Sequence, residues 1–96
     1  MYAKQVFTQG FNVLAACNKE LIGKEFIEGE IHFNAKEYFY KGEIVSEKKL
    51  AELLREADSI NLFGDKPVSV ALKEKLLSEK SIKKIQGIPH AQIIKL

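Results

Sequence analysis

The chain has 96 residues, 46% of them apolar and 29% charged, and a formal net charge of +2. That length supports one core, hence one expected domain over residues 1–96, and the composition lies far from the disordered regime. A lone Cys17 excludes an internal disulfide and a multi-cysteine zinc site. The longest apolar run, Val13 to Cys17, is five residues, where a membrane helix needs about 20. The opening residues lack a signal-peptide pattern, so a cytoplasmic setting with no membrane partner is expected.

Charge is unevenly distributed. Residues 66–96 hold seven lysines against two glutamates, a net of +5, while residues 1–65 hold eight basic against eleven acidic side chains, a net of −3. A basic half of this kind offers a face to phosphate, although no arginine cluster or Arg-Gly repeat accompanies it.

In chain order, Tyr2 to Thr8 and Phe11 to Asn18 read as an N-terminal β-hairpin across Gln9-Gly10, where the glycine suits a tight primed turn. In the second strand Phe11, Val13, Ala15 and Cys17 share one side and Asn12, Leu14, Ala16 and Asn18 the other; both are apolar enough for an interior strand. Lys19 to Lys24 is a turn or single helical turn stopped by Gly23. Short strands follow at Lys24 to Ile27 and Glu30 to Phe33, the second with Ile31 and Phe33 inward and Glu30, His32 and Asn34 outward. Ala35 to Gly42, dense in aromatics, fits a short helix or loop.

Ser46 to Ala57 is the clearest helix. Ser46 is a good N-cap, Glu47 complements the positive helix end, and Leu50, Leu53, Leu54 and Ala57 form one apolar stripe. Ser59 to Phe63 is a strand closed by Gly64. Asp65 is expected to cap a helix over 65–78 that tolerates Pro67 in its first turn and buries Val68, Ala71, Leu72 and Leu76. Ser81 to Gln86 and His90 to Lys95 are the last strands, separated by a Gly87-Ile88-Pro89 break. The expected fold class is therefore α+β, a mixed β-sheet with two main helices packed on one side and an N-terminal β-hairpin. Strand 59–63, helix 65–78 and strand 82–86 have the length of a right-handed βαβ crossover.

Gly87-Ile88-Pro89-His90-Ala91-Gln92-Ile93 is the most specific part of a likeness that spans nearly the whole chain. With Leu14-Ala15-Ala16-Cys17, Leu21-Ile22-Gly23-Lys24, Phe26, the stretch from Gly42 to Leu54 and Asn61-Leu62-Phe63-Gly64, it resembles the small archaeal proteins grouped as domain of unknown function 424. Phe63 departs from the pattern, standing where a smaller aliphatic residue is expected. The resemblance implies an archaeal, cytoplasmic protein and loosely suggests a connection with translation or RNA. It carries over no catalytic or binding residues.

Pro89 delivers His90 at a defined strand entrance, and Gln92 lies two residues along the same strand face. One reading makes His90 a proton carrier or ligand beside a substrate-orienting amide; the other makes it a ring packed on the sheet, donating to a backbone carbonyl. Cys17 with His90, and Asp58 or Asn61 as third member, would supply the nucleophile and base of a small hydrolase or transferase. That candidate pocket comprises His90, Gln92, Asn61 and Cys17, although Cys17 has the apolar neighbours of an inert core thiol. Glu28-x-Glu30-x-His32 puts three ligand types on one strand face, but strand neighbours at i and i+2 stand roughly 6.5–7 Å apart. No metal and no cofactor is expected.

Lys36, Tyr38, Tyr40 and Lys41 interleave cations with aromatic planes, the chemistry of single-strand RNA binding, and Lys80, Lys83 and Lys84 are the better phosphate contacts. The competing role has Phe39 packed under the helices. The expected function is a non-catalytic module binding RNA or a ribonucleoprotein, linked to translation. The His90/Cys17 enzyme is the second expectation. A protein-interaction element or homodimer, joined through the apolar strand ending Ile93-Ile94-Lys95-Leu96, is the third.

Overall fold

The computed structural model describes residues 1–95 and opens with the expected hairpin. Strands β1 (Tyr2–Thr8) and β2 (Phe11–Cys17) pair antiparallel, with Thr8 opposite Phe11. Gln9 and Gly10, at φ 48° and 80°, form the positive-φ pair of a type I′ turn. Next come β3 (Glu25–Glu28), β4 (Ile31–Asn34), the short α1 (Glu37–Tyr40), β5 (Glu43–Ile44) and α2 (Glu47–Glu56). The chain continues through β6 (Ser59–Phe63), α3 (Asp65–Lys73), β7 (Lys83–Ile85) and β8 (Ile88–Ile94).

Six strands make one mixed sheet in the order β5-β1-β2-β6-β8-β7, and β3-β4 form a separate two-stranded sheet. The parallel pair is β2 with β6, Ala15 opposite Asn61, and α2 lies in the crossover between them. The α3 crossover differs from the sequence reading. It returns the chain parallel to β6, but β8 inserts antiparallel to both strands, so β6 and β7 are not neighbours.

Helices α2 and α3 pack on one face, where Leu14, Ala16, Ile60 and Leu62 of the sheet meet Leu50, Leu54, Val68 and Ala71. The fold is thus α+β, with both main helices on one side of a mixed sheet. The opposite face is covered only at one end, by the β3-β4 hairpin and α1 over Cys17, Phe63 and Ile85.

Local chemistry explains the boundaries. Ser46 Oγ accepts from the Lys49 amide at 3.1 Å and starts α2, as its sequence requires. Lys95 Nζ donates to the Leu54 and Arg55 carbonyls at 2.6 and 3.0 Å, satisfying the end of the same helix. The start of α3 is not capped by Asp65. Asn18, from the end of β2, accepts from the Lys66 amide at 3.0 Å and donates to Asp65 Oδ1 at 2.6 Å. A side chain distant in sequence therefore performs the cap. Helix α3 also ends at Lys73 rather than 78. The Leu76 amide reaches Ala71 O at 3.1 Å and the Lys75 amide reaches Leu72 O at 3.0 Å, a Schellman ending with Lys75 at φ 60°.

The Gly-x-Pro segment is not a break. Gln86 and Gly87, at φ 53° and 78°, make the β7-β8 turn, and Pro89 lies inside β8 with a trans peptide bond before it. Its missing N–H does no harm, because Phe63 opposite His90 is the last β6 rung and only the Gly64 amide lies beyond, donating to Pro89 O at 2.9 Å. Strand β8 lies between β6 and β7, but β7 accompanies it only over Ile88–His90, so among the described residues the Ala91–Ile94 end keeps one unpaired edge, where the sequence places its apolar edge. Leu96, included in that expected interface, lies outside the described residues.

Gly64 holds φ 114°, and a Cβ there would collide with the Asn18 side chain. Gly64→Ala is expected to lower stability by about 2–5 kcal/mol, from backbone strain plus overpacking, read as a reduced urea midpoint at unchanged slope. Lys75→Gly, which relieves a left-handed non-glycine residue at a greater unfolded-state entropy, should raise stability by about 0.5–1 kcal/mol in the same measurement.

Candidate functional site

Strand alternation determines what the uncovered sheet face presents. The registers place Lys4, Val6 and Thr8 of β1 beside Phe11 and Val13 of β2; Ser59 and Asn61 of β6 then stand beside Gln92 and Ile94 of β8. Lys83 of β7 pairs with His90 and shares that face. Several of these apolar groups face solvent: Val6 is 47%, Phe11 51% and Ile94 64% exposed.

Cover stops where the aromatic packing stops. The Phe33 ring lies 4.3 Å, centroid to centroid, from Phe63, and Phe26 meets Phe63 edge-on at 5.2 Å. Glu28 Oε1 accepts from the Gln86 amide at 2.9 Å, and Gln86 Nε2 donates to Ile27 O at 2.8 Å. These contacts pin the β3-β4 hairpin above the β7-β8 turn. Beyond it, α1 is anchored by Tyr40, only 2% exposed, and presents Tyr38 and Phe39. Tyr38 is 70% exposed. Lys36 Nζ stands 5.6 Å from its ring centroid and 3.4 Å from its hydroxyl, and Lys4 Nζ donates to its backbone carbonyl.

Tyr38 and Phe39 border two adjoining clefts. One, of about 330 Å³, includes Phe33, Asn61, His90 and Gln92. The other, of about 390 Å³, includes Lys4, Val6, Val13 and Ala15. No carboxylate lines either cleft, and none projects from this face of β1, β2, β6, β7 or β8 among the described residues. Glu37 of α1 points instead toward Gly23.

The structure therefore brings Asn61, His90 and Gln92 together, with Tyr38 and Lys36 beside them and Lys83 across the strand. The His90 ring lies 4.8 Å from Phe33 and 6.0 Å from Phe63, centroid to centroid. Among the described residues, no hydrogen bond engages its imidazole nitrogens or the Asn61 and Gln92 side-chain amides. Burial holds the His90 pKa below its ordinary 6.5, and Lys83 presses it down further.

Other candidates lie elsewhere. Cys17 is fully buried, and desolvation, with a smaller contribution from Glu20, pushes its pKa up to about 12. It does not line the cleft that holds His90, Asn61 and Gln92, and its burial favours the neutral thiol over the nucleophilic thiolate. Tyr40, expected as a stacking ring, is the buried anchor of α1, and burial raises its phenol pKa. Phe39 is not under the main helices, which occupy the opposite face. The lysine group is divided as well. Lys83 flanks His90, whereas Lys84 faces the α3 side in a cleft of about 480 Å³ that also holds Asp65 and Glu79. That larger cleft mixes both charge signs and lies on the opposite face of the sheet from the polar cluster. Lys80 sits in the 79–81 turn, and Lys41 Nζ lies 6.0 Å from the Tyr2 ring centroid. Sequence reasoning missed Lys4, Val6 and the outward aspect of Phe39. The period-two register of the first hairpin carried the signal for Lys4 and Val6.

The molecule so defined is an α+β protein whose mixed sheet leaves half of one face open between an aromatic ridge and a hairpin end. By its sequence, the chain belongs to the family described as Protein of unknown function (DUF424), whose profile matches residues 7–96. The chain is similar to an uncharacterized conserved protein from Methanopyrus kandleri of known crystal structure, at 27% identity and a TM-score of 0.80. That similarity covers 99% of this chain and 92% of the other. No curated protein matches the chain significantly. No helix among the described residues is long and apolar enough to cross a membrane.

Two titrations follow. Cys17 should resist alkylation in the folded protein at pH 8 and react on unfolding in urea, monitored by mass. The His90 midpoint, followed by NMR, should fall below 6.5. The folded chain then binds fewer protons than the unfolded one between the two values, so the His90 contribution to stability is complete above pH 6.5 and is lost as pH falls toward the folded midpoint.

Proposed function

We propose that this protein is a non-catalytic module of the archaeal cytoplasm that binds single-stranded RNA, free or within a ribonucleoprotein, along the open sheet face. The observation that carries the reading is the half-open sheet itself: an aromatic ridge of Tyr38 and Phe39 over a carboxylate-free surface bordered by Lys4, Lys36 and Lys83. Bases stack on aromatic planes regardless of sequence, each contact contributing about 1–3 kcal/mol, while lysines follow the phosphates. A rigid sheet floor suits splayed single strands, whose base faces lie free. The burial of Cys17 speaks for binding rather than covalent catalysis. The link to translation rests on the family resemblance alone.

Fluorescence anisotropy with a short single-stranded RNA tests the reading. Three lysine contacts should give a slope of about −2 in log affinity against log salt. Tyr38→Ala should cost about 1–3 kcal/mol. Lys83→Glu should weaken binding and flatten the salt slope, while Lys84→Glu, on the other face, should leave both unchanged. No binding at low ionic strength, or equal losses from Lys83→Glu and Lys84→Glu, overturns it.

A further inference from the structure

The polar end of the open face has a composition that backbone binding does not explain. Asn61 and Gln92 are direct partners in the β6-β8 ladder, two rungs from Phe63 and His90 and on the same face. Directly opposed side chains in an antiparallel pair start about 4.5–5.5 Å apart at Cβ. Both amides line the cleft of about 330 Å³ bordered by Phe33, Tyr38 and Phe39, and neither is tied to a protein partner among the described residues. That volume falls at the lower end of small-ligand sites, about 300–1,000 Å³, where apolar walls and a few convergent polar groups are the usual arrangement.

We propose that this cleft is a base-recognition pocket that receives one adenine, seated among the aromatic rings, with the Asn61 and Gln92 amides reading its edge. The inference rests on the RNA-binding reading and names the base that the same face selects. Each primary amide offers donors and an acceptor side by side. Adenine places its N6 amino donor between the acceptors N7 and N1, so either edge pairs bidentately with a primary amide, the established asparagine or glutamine match. Each other base offers a primary amide a donor–acceptor pair on its Watson–Crick edge alone, whereas adenine flanks one donor with acceptors on both edges, so two amides can share it. Guanine's Hoogsteen edge has two acceptors, and the carboxylate that best matches its N1–H and N2–H donors is absent from the cleft. Lys36, the cation of this cleft, is already turned toward the Tyr38 ring and hydroxyl. Adenine in RNA and adenine in a free nucleotide share this chemistry.

Anisotropy with short oligo-A, oligo-U, oligo-C and oligo-G RNAs, together with NMR titration of the Asn61 and Gln92 side-chain amides by adenosine and by uridine, tests the pocket and separates it from the broader reading. Oligo-A should bind about tenfold more tightly than oligo-U, within the range one bidentate base contact discriminates. Gln92→Ala, at an exposed position that folding does not need, should reduce that preference. Asn61→Ala with Gln92→Ala should abolish it while leaving oligo-U affinity within about twofold. Adenosine should shift both amide signals and uridine should not. Equal loss on all four RNAs, or no preference in the unmodified chain, overturns adenine selection. If no RNA binds but adenosine shifts the two amides, the RNA reading falls and the pocket stands as a site for free adenine nucleotides. If adenosine shifts neither, the pocket falls whatever the RNAs do.

Discussion

Phe63 determines how far the second face of the sheet is closed. Its ring is fully buried at the end of the central strand β6 and meets Phe33, Phe26 and His90. A ring there gives the β3-β4 hairpin something to dock on, and a buried phenylalanine makes a contribution of several kcal/mol, since truncating one to alanine costs about 3–5 kcal/mol. Two strand positions further toward the first hairpin, the floor changes to Asn61 and Gln92, and the aromatic packing gives way to open cleft. The border between core and candidate site is thus a single two-residue step along one face of the β-ladder. Phe63, which departs from the smaller residue that the family resemblance leads one to expect, also supplies part of the wall against which His90 rests.

The basic character of the C-terminal third is dispersed by the fold rather than gathered. Lys95 satisfies the end of α2, Lys73 pairs with Glu47 at 3.5 Å, and Lys84 shares a cleft with Asp65 and Glu79. What makes the open face cationic is instead the absence of acids on one side of the sheet strands, to which Lys4, from the acidic two-thirds of the chain, contributes as much as Lys83. Local sign on one face, rather than net charge by segment, therefore governs what this surface attracts.

Much of the fold was legible in the sequence where signals are local. Gly10 in a primed turn, the Ser46 cap and the leucine spacing of α2 were read correctly because neighbouring residues decide them. The gathering of His90, Gln92 and Asn61 was partly legible, since residues two apart on a strand share a face. The misses came from long-range choices. The Asn18 cap joins residues 48 apart in sequence to reach Lys66, and Pro89 is acceptable inside β8 only because β6 ends opposite His90. The order β6-β8-β7 likewise depends on which strand fills the gap left by the α3 crossover. Lys83 and Lys84 teach a simpler lesson: adjacent strand residues point to opposite faces, so a run of like charge along a strand is not a patch.

The two sides of the open groove differ in how they are held. Asn61 and Gln92 occupy rungs in the middle of a six-stranded sheet, with helices packed behind them. Tyr38 and Phe39 ride on a single four-residue turn secured chiefly by Tyr40. Whatever enters meets a fixed template beneath a lip that can yield. On the proposed reading, selectivity belongs to the template and the pace of entry and exit to the lip, so changes in α1 should alter residence time without altering which molecule is chosen.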